Sequence, residues 1–580
     1  MNEPSELFES AEHRPAFLVG AAAIVLGLCF AAWVSWTCDD AFISFRYARN
    51  LVEGHGLVFN VGERVEGYTN LLWTLWIAVG LRFGIGAEPW ARVFGLVFYG
   101  ASLALLFAFH LDLRGKLPVR RATLPLACLV GAAHPDFRLF ATSGLETSAF
   151  TAVVLAGYLT LARGLVARRP RPLLCGAIFG IASMLRPDGI VFAAVAAAAL
   201  GLAAPRRLRD VGWFVVGVGT FWAGTTLFRL TYYGQLFPNT YYAKSAHLSW
   251  HRQGFVYAVT YFHKYWVLLL GPLGVAWFAW RGRGASAATA EDSAPRERWY
   301  EVHALLAAGF AAAYTYYVVR VGGDFMYARL LIPVTPYLAV LFELGLYRLS
   351  LARQLLYVEV SVACLMLLVL IPRPVSGTEW QEGIADEAAV YDDERLATTT
   401  RDAEVIARFF RGLPVRAAFL GTEARLMYEA DVPVAIEAET GLTDRTIAQQ
   451  SLAKRARVGH EKRASFPYLV SRRAAHFLFT PSLPEDFGLE HYIPIRTIAF
   501  GPVRAFILHW DPELMAELGR RGASFEDFGD YLDQYLRGID VRPLEEVRRD
   551  YEKFRHFYFD HAHDPRETLF EQRTQAGGPR

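Results

Sequence analysis

Eleven apolar runs divide the first two thirds of the chain: 16–36, 89–110, 122–140, 148–165, 172–186, 189–204, 211–230, 264–280, 302–319, 330–347 and 354–371. The first, from Ala16 to Trp36, holds about 21 residues without a charge, enough to cross roughly 30 Å of hydrocarbon as a helix. It follows an acidic segment, MNEPSELFES, and shows no small-x-small cleavage site, so it reads as a retained span and not a removed signal peptide. The stretch LLWTLWIAVGLRFG at 71–84 is short, and as a crossing it would bring the count to twelve with the basic loops on the wrong sides, so it is expected to lie along the outer membrane surface; the alternative, a real second span, would put 111–121 outside. AFISFRYARNLV has apolar residues at helical spacing with Arg46 and Arg49 on another face, which predicts an amphipathic helix. From residue 372 the period changes. Short β-like runs (VRAAFLG, VPVAIEA, AHFLFT, YIPIRTIAF, VRAFILHW) alternate with helical stretches around 384–412 and 512–557, predicting an α/β or α+β domain.

Charge sharpens this division. Residues 1–371 carry 31 Lys+Arg against 22 Asp+Glu, and residues 372–580 carry 28 against 35, so a whole-chain net charge of +2 conceals parts of +9 and −7. A single globular enzyme is excluded. So is a nucleic-acid binder, because the positive excess sits among apolar segments and not on a polar face. If the N-terminus is cytoplasmic, 17 basic residues fall on that side: Arg114, Lys116, Arg120, Arg121, Arg163, Arg168, Arg169, Arg171, Arg206, Arg207, Arg209, Arg281, Arg283, Arg296, Arg298, Arg348 and Arg353. Eleven crossings then place 372–580 outside. The expectation is a multi-pass protein of the inner (plasma) membrane, with a membrane domain over 1–371 and an extracytoplasmic domain over 372–580. GRGASAATAEDSAP at 282–295 is read as a cytoplasmic loop. Cys29, Cys38, Cys128, Cys175 and Cys364 lie in or beside apolar runs without a CxxC pair, which gives neither a disulfide framework nor a zinc knuckle.

Charged groups at the ends of apolar runs are costly, and here they collect on the outer face. Asp39 and Asp40 are adjacent at the exit of the first run, beside Trp36, Phe42, Phe45 and Tyr47. A carboxylate pair half out of water should have one raised pKa and can act as a general base; Asp40 is alternatively an N-cap for the amphipathic stretch. Other outer connections supply Asp136, Arg138 and Glu146; Arg186 and Asp188; Asn239, Tyr242 and Lys244; and Arg320, Asp324 and Arg329. Several cations facing one cavity suit a phosphate, whereas Lys244 and Arg138 taken singly read equally well as snorkelling side chains. In RVGGDFM, two glycines before a carboxylate let backbone approach a ligand or another helix. In the C-terminal region Asp444, His460, Glu461 and Lys462 occupy loop-like contexts, and FDHAHD at 559–564 reads as a solvated tail and not a metal site.

DDAFISFRYARNLVEGHGLVFNVGERVEGYTNLLW, SGLET, RPDG, YYGQLFPNTYYAK, GGDFMYARLLIPVTP, TGLTDRTIAQ and RVGHEK occur in this order over about 37–470. Together they resemble the polyprenyl-phosphate-sugar-dependent membrane glycosyltransferases of the GT-C fold, in the branch of mycobacterial terminal arabinofuranosyltransferases. The resemblance implies a GT-C-like membrane domain of about eleven transmembrane helices. It implies Asp39 or Asp40 as the catalytic carboxylate and Arg186, Lys244, Arg320 and Arg329 as donor-phosphate ligands. Glu66, Tyr68, Glu146, Asp188, Asn239, Asp324, Asp444 and His460 are the substrate-binding candidates. Glycosyl transfer passes through an oxocarbenium-like state that a carboxylate stabilises; inversion makes Asp39 a base and retention a nucleophile. No cofactor is assigned; a divalent metal, Mg or Mn, held by Asp39, Asp40 and Asp324, stays open. The expected partners are a polyprenyl-phosphate sugar, a cell-envelope glycan or lipid acceptor, and membrane lipids, with no nucleic acid. Two rivals remain: a lipid-linked glycan transporter, which predicts midplane polar residues and paired broken helices, and a non-catalytic glycan-binding or assembly protein.

Overall fold

The computed structural model describes residues 14–115, 123–282, 290–371, 383–421, 423–480 and 489–575. The acidic N-terminal tail, Lys116, Arg120, Arg121, residues 283–289 of the expected loop (Arg283 among them) and residues 372–382 after the expected boundary lie outside the described residues; 290–295 of that loop are helical.

Among the described residues, six helices are long and apolar enough to cross a membrane: Arg14–Trp33, Ala87–Arg114, Thr147–Val166, Arg207–Tyr233, Ala290–Val321 and the helical stretch Ile332–Ser350. The runs expected as spans at 172–186, 189–204, 264–280 and 354–371 form shorter apolar helices, and Leu71–Arg82 is a further short one. The run at 122–140 is not one helix. It breaks at His134 into Leu126–Ala133 and Pro135–Leu139. Pro135 cannot continue the hydrogen-bond ladder and biases the residue before it toward extended backbone; His134 adopts that geometry and its Nδ1 accepts the amide of Phe137 at 3.2 Å. Glycine allows the closest helix packing: a Cβ on Gly176 would stand 2.2 Å from the carbonyl oxygen of Phe214, so Pro172–Leu185 and Arg207–Tyr233 meet backbone to backbone. The amphipathic stretch is the helix Ala41–Val52.

The chain divides into two compact units, and the division is not linear. The first comprises 1–48, 68–237 and 246–390; the second takes two earlier segments, 49–67 and 238–245, together with 391–580. Contact between elements decides this, not position along the chain. In the second unit all five predicted strands form, as β1 (Arg416–Phe419), β2 (Val434–Glu437), β3 (Phe477–Phe479), β4 (Thr497–Phe500) and β5 (Val503–Ile507), and Ser524–Phe525 adds β6. The sheet order is β2-β1-β3-β5-β4-β6. β1 pairs in parallel with β2 and β3, and the remaining pairs are antiparallel. A parallel centre needs apolar residues on both faces, which is why RAAF and FLF are nearly continuous apolar runs. Phe410 of the helix Asp393–Phe410 packs against Phe477, Phe479 and Phe500. Asp392, Asp511 and Asp527 cap the helices that follow them by accepting backbone amides.

Candidate active site

The helix Arg14–Trp33 ends before Thr37, and the chain then turns through Asp39 and Asp40 into Ala41–Val52, with the amide of Phe42 donating to the Asp39 carbonyl at 3.0 Å. Two bonds tie this exit to the segment before Glu146: the Trp36 amide to Thr142 Oγ1 at 3.1 Å and the Cys38 amide to the Ser143 carbonyl at 2.9 Å. Glu146, at the start of Thr147–Val166, is thereby brought to the Asp39–Asp40 side of the unit. Arg329 arrives from the irregular segment 322–331, held by bonds between the Tyr327 amide and the Ala385 carbonyl (2.9 Å) and between the Ala385 amide and the Phe325 carbonyl (2.8 Å). Gly323 approaches a helix and not a ligand: a Cβ there would lie 2.5 Å from the Tyr257 ring.

These elements build one buried ionic cluster. Nη1 of Arg329 lies 3.6 Å from both Asp40 and Asp324, and its Nη2 lies 3.7 Å from Glu146. Arg186, between the helices Pro172–Leu185 and Gly189–Ala203, binds Asp188 bidentately at 3.1 and 2.8 Å and approaches Glu146 at 3.5 Å. Tyr314 donates to Asp188, and Asn70 donates to Glu146 at 2.9 Å. Burial pulls the Arg186 guanidinium down, but Asp188, Tyr314 and Glu146 more than offset it and hold it charged well above its ordinary value. Arg329 is likewise raised, burial being outweighed by Glu146, Asp324 and Asp40. For Asp188 burial favours the neutral acid, yet the Arg186 charge and its hydrogen bonds hold the carboxyl below the usual range.

Both guanidiniums retain capacity. Among the described residues, Nη1 of Arg186 and Nε of Arg329 are buried without a hydrogen-bond partner; the carboxylate 3.5 Å from Arg186 Nη1 supplies charge and not an aligned acceptor. Arg186 is 7% exposed. Four carboxylates share two guanidiniums, and this surplus of negative charge suits a sugar carbon that gains positive character during transfer. Arg329 stands between Asp40 and Asp324, two of the three carboxylates named for a divalent metal, and supplies positive charge there.

The remaining candidates are distributed differently. Tyr68 belongs to the first unit, where its hydroxyl meets that of Tyr233 at 3.0 Å and its ring packs on Tyr47. Arg320 is exposed at the end of its helix. Asp136 accepts from Lys264 and Tyr265 at 3.2 and 2.5 Å, while Arg138 lies over the Phe30 ring. Glu66, Asn239, Lys244, Asp444 and His460 all fall in the second unit. There the Asn239 amide nitrogen donates to the carbonyls of Gly441 and Leu442 at 2.8 and 2.9 Å, and the Glu66 carbonyl accepts the Asn239 amide. Asp444 takes the amides of Thr446 and Ile447 and the Tyr468 hydroxyl, so it holds a turn. Lys462 donates to the carbonyls of Tyr242 and Ala448. The His460 ring is lowered by burial and by Arg457, with Lys244 also contributing. Asn70 was missed from the sequence: an Asn before an apolar helix reads as a cap, and only the fold reveals its partner.

The comparisons with known proteins agree with the resemblance. The chain is similar to terminal arabinofuranosyltransferases. It is 31% identical to the "Terminal beta-(1->2)-arabinofuranosyltransferase" of Mycobacterium tuberculosis over 345 residues, 54% of this chain and 53% of that protein. It is 30% identical to the protein of the same name from Corynebacterium glutamicum over 353 residues, 56% of this chain and 50% of that one. The chain thus spans about half the length of the curated relatives it matches. No family model matches. Among solved structures, ArnT from Cupriavidus metallidurans in the apo state gives a TM-score of 0.48 at 16% identity, covering 86% of this chain and 98% of ArnT. The same protein bound to undecaprenyl phosphate gives 0.43 at 15% identity, covering 74% and 86%.

Proposed function

We propose that this protein is a multi-pass membrane glycosyltransferase that moves a sugar from a polyprenyl-phosphate donor to a cell-envelope glycan or lipid acceptor, with arabinofuranose as the first sugar to test. The observation that carries this reading is the pair of buried guanidiniums, each with an N–H that finds no hydrogen-bond partner among the described residues, set among carboxylates in the same unit as the Asp39–Asp40 turn. Arg186 and Arg329 receive the donor phosphate, Arg186 as a fork whose orientation Asp188 fixes. Asp39 or Asp40 takes the proton of the acceptor hydroxyl as the anomeric carbon separates from the phosphate oxygen. The named activity of the similar proteins supports arabinofuranosyl transfer. The 17 basic residues on alternate connections support a cytoplasmic N-terminus and a second unit outside the inner membrane.

The test is incubation of purified protein with a panel of polyprenyl-phosphate sugars, followed by mass spectrometry of the products. Asp39→Asn and Asp40→Asn are compared at equal folded concentration. The catalytic one of the two should lose about 10²- to 10⁴-fold in turnover, and a fully active double variant would sink the assignment. Transfer should survive a chelator, since Arg329 supplies the positive charge between Asp40 and Asp324. Protease access to the second unit in sealed spheroplasts tests the orientation.

A further inference from the structure

Asn70 has no assigned role, yet each end of its side-chain amide is engaged within the first unit. Its Oδ1 accepts the Ser44 hydroxyl at 3.1 Å and the Thr74 hydroxyl at 3.1 Å, and its Nδ2 donates to Glu146 Oε2 at 2.9 Å. It is 7% exposed, and although it precedes the helix Leu71–Arg82 its side chain does not cap that helix. The amide is therefore committed elsewhere. Ser44 stands on Ala41–Val52, the helix entered from Asp39–Asp40, and Thr74 on the next helix, so Oδ1 anchors the amide to two rigid elements. Fixing Oδ1 fixes where Nδ2 points, because the amide is planar. What it points at is the other oxygen of the carboxylate that faces both guanidiniums: Glu146 Oε1 lies 3.5 Å from Arg186 Nη1 and 3.7 Å from Arg329 Nη2. Without a donor on Oε2, the Glu146 carboxylate can rotate to make close, aligned bonds with one arginine and consume the N–H groups that an anion would use.

We propose that Asn70 is a positioning residue: it locks Glu146 as a spacer between Arg186 and Arg329 and so keeps both guanidiniums open to the donor phosphate. This rests on the reaction reading given above and adds to it the residue that keeps the anion seat unfilled. Asn70 touches no reacting atom and acts through Glu146 alone.

A double-mutant cycle on the full-length protein in detergent or nanodiscs tests this, read as direct binding of undecaprenyl phosphate and not as turnover. Asn70→Asp keeps the acceptor oxygen for Ser44 and Thr74 and replaces the donor with a carboxylate held against Glu146; it should lower the melting temperature and weaken binding about tenfold per folded molecule. Glu146→Gln should weaken it by a similar factor. The double variant should be no weaker than Glu146→Gln, because Asn70 has no route to the phosphate once the carboxylate is gone. Additive losses, or wild-type affinity in Asn70→Asp, would overturn the proposal. If Asn70→Asp does not fold, Ser44→Ala loosens the same amide from one side and enters the same cycle with a smaller expected loss. Absence of binding by the wild-type protein would overturn the anion seat and this inference with it. Binding without transfer from any donor would overturn only the reaction reading.

Discussion

Two buried carboxylates of the second unit and two buried guanidiniums of the first differ in how far their hydrogen bonding is filled. In the second unit Glu437 accepts the amides of Glu439, Thr440 and Leu442 together with the Thr440 hydroxyl, and Asp444 accepts two amides and a hydroxyl. Burial raises the Glu437 carboxyl, and the bonds it accepts only partly oppose this. Such groups close backbone circuits and hold turns. In the first unit Arg186 and Arg329 meet carboxylates at distances that supply charge without consuming every N–H. Saturated polar groups hold a fold, and groups neutralised but not saturated can accept a ligand.

The largest expected break in this contrast is Arg186→Met. Among the described residues it leaves buried Asp188 with Tyr314 as its remaining close side-chain partner, which should cost about 3–5 kcal/mol and remove phosphate binding together. Thermal unfolding beside lipid-phosphate binding checks it; a variant of normal stability that still binds would mean that Arg186 belongs with the saturated kind.

Asp40, Glu146, Arg186, Asp188, Asp324 and Arg329, which the fold gathers into one ionic cluster, could be picked out because charge at the end of an apolar run is rare and each belongs to a short motif. Tyr68 shares their unit but bonds to Tyr233. The same logic gathered Asn239, Lys244 and Asp444 without seeing that 238–245 packs with the C-terminal unit, since periodicity carries no information about which loops meet. All five predicted strands formed because their apolar runs are bounded by polar turns. The run at 122–140 misled because composition hides the break that Pro135 makes.

A second effect, on the order of 2–3 kcal/mol, should appear in the second unit as pH falls. Burial brings His476 down to about 4, and Arg416 and His561 add to this against Asp511. Burial brings His509 down to about 3, aided by His561 and His476. Both rings are neutral in the fold, and Nδ1 of His476 accepts the Arg416 amide, a role that a proton would cancel. Their folded values lie below the unfolded one near 6.5, so the unfolded chain binds more protons. Stability is complete above about pH 6.5 and is lost progressively down toward pH 3–4. Melting temperature against pH reads this, and His509→Gln should flatten the slope; an unchanged slope would place the acid sensitivity elsewhere.

Asp444→Ala should cost the second unit about 1–2 kcal/mol, the loss of a cap and of the Tyr468 bond. Transfer per folded molecule should stay unchanged, against the sequence expectation that Asp444 binds substrate. A rise in KM at normal stability would return it to the site.

The smallest effect separates the units by backbone alone. Ala328, at φ 66°, and Ala474, at φ 45°, hold left-handed conformations that cost a non-glycine residue about 1 kcal/mol, and each stands beside an arginine that bonds within its unit. Glycine relieves that strain and at the same time frees the unfolded chain by about 0.4–1 kcal/mol, so neither Ala328→Gly nor Ala474→Gly should move the melting temperature far. Their activities should differ. Beside Arg473, which is already bonded to Glu63 at 2.9 Å, added freedom changes nothing that a ligand reads. Beside Arg329 the conformation of Ala328 helps to aim a guanidinium whose carboxylates sit at 3.6–3.7 Å and do not restrain it tightly. Ala328→Gly should therefore raise the donor KM a few-fold with kcat nearly unchanged, whereas equal kinetics in the two variants would show that the ionic contacts alone hold Arg329 in place.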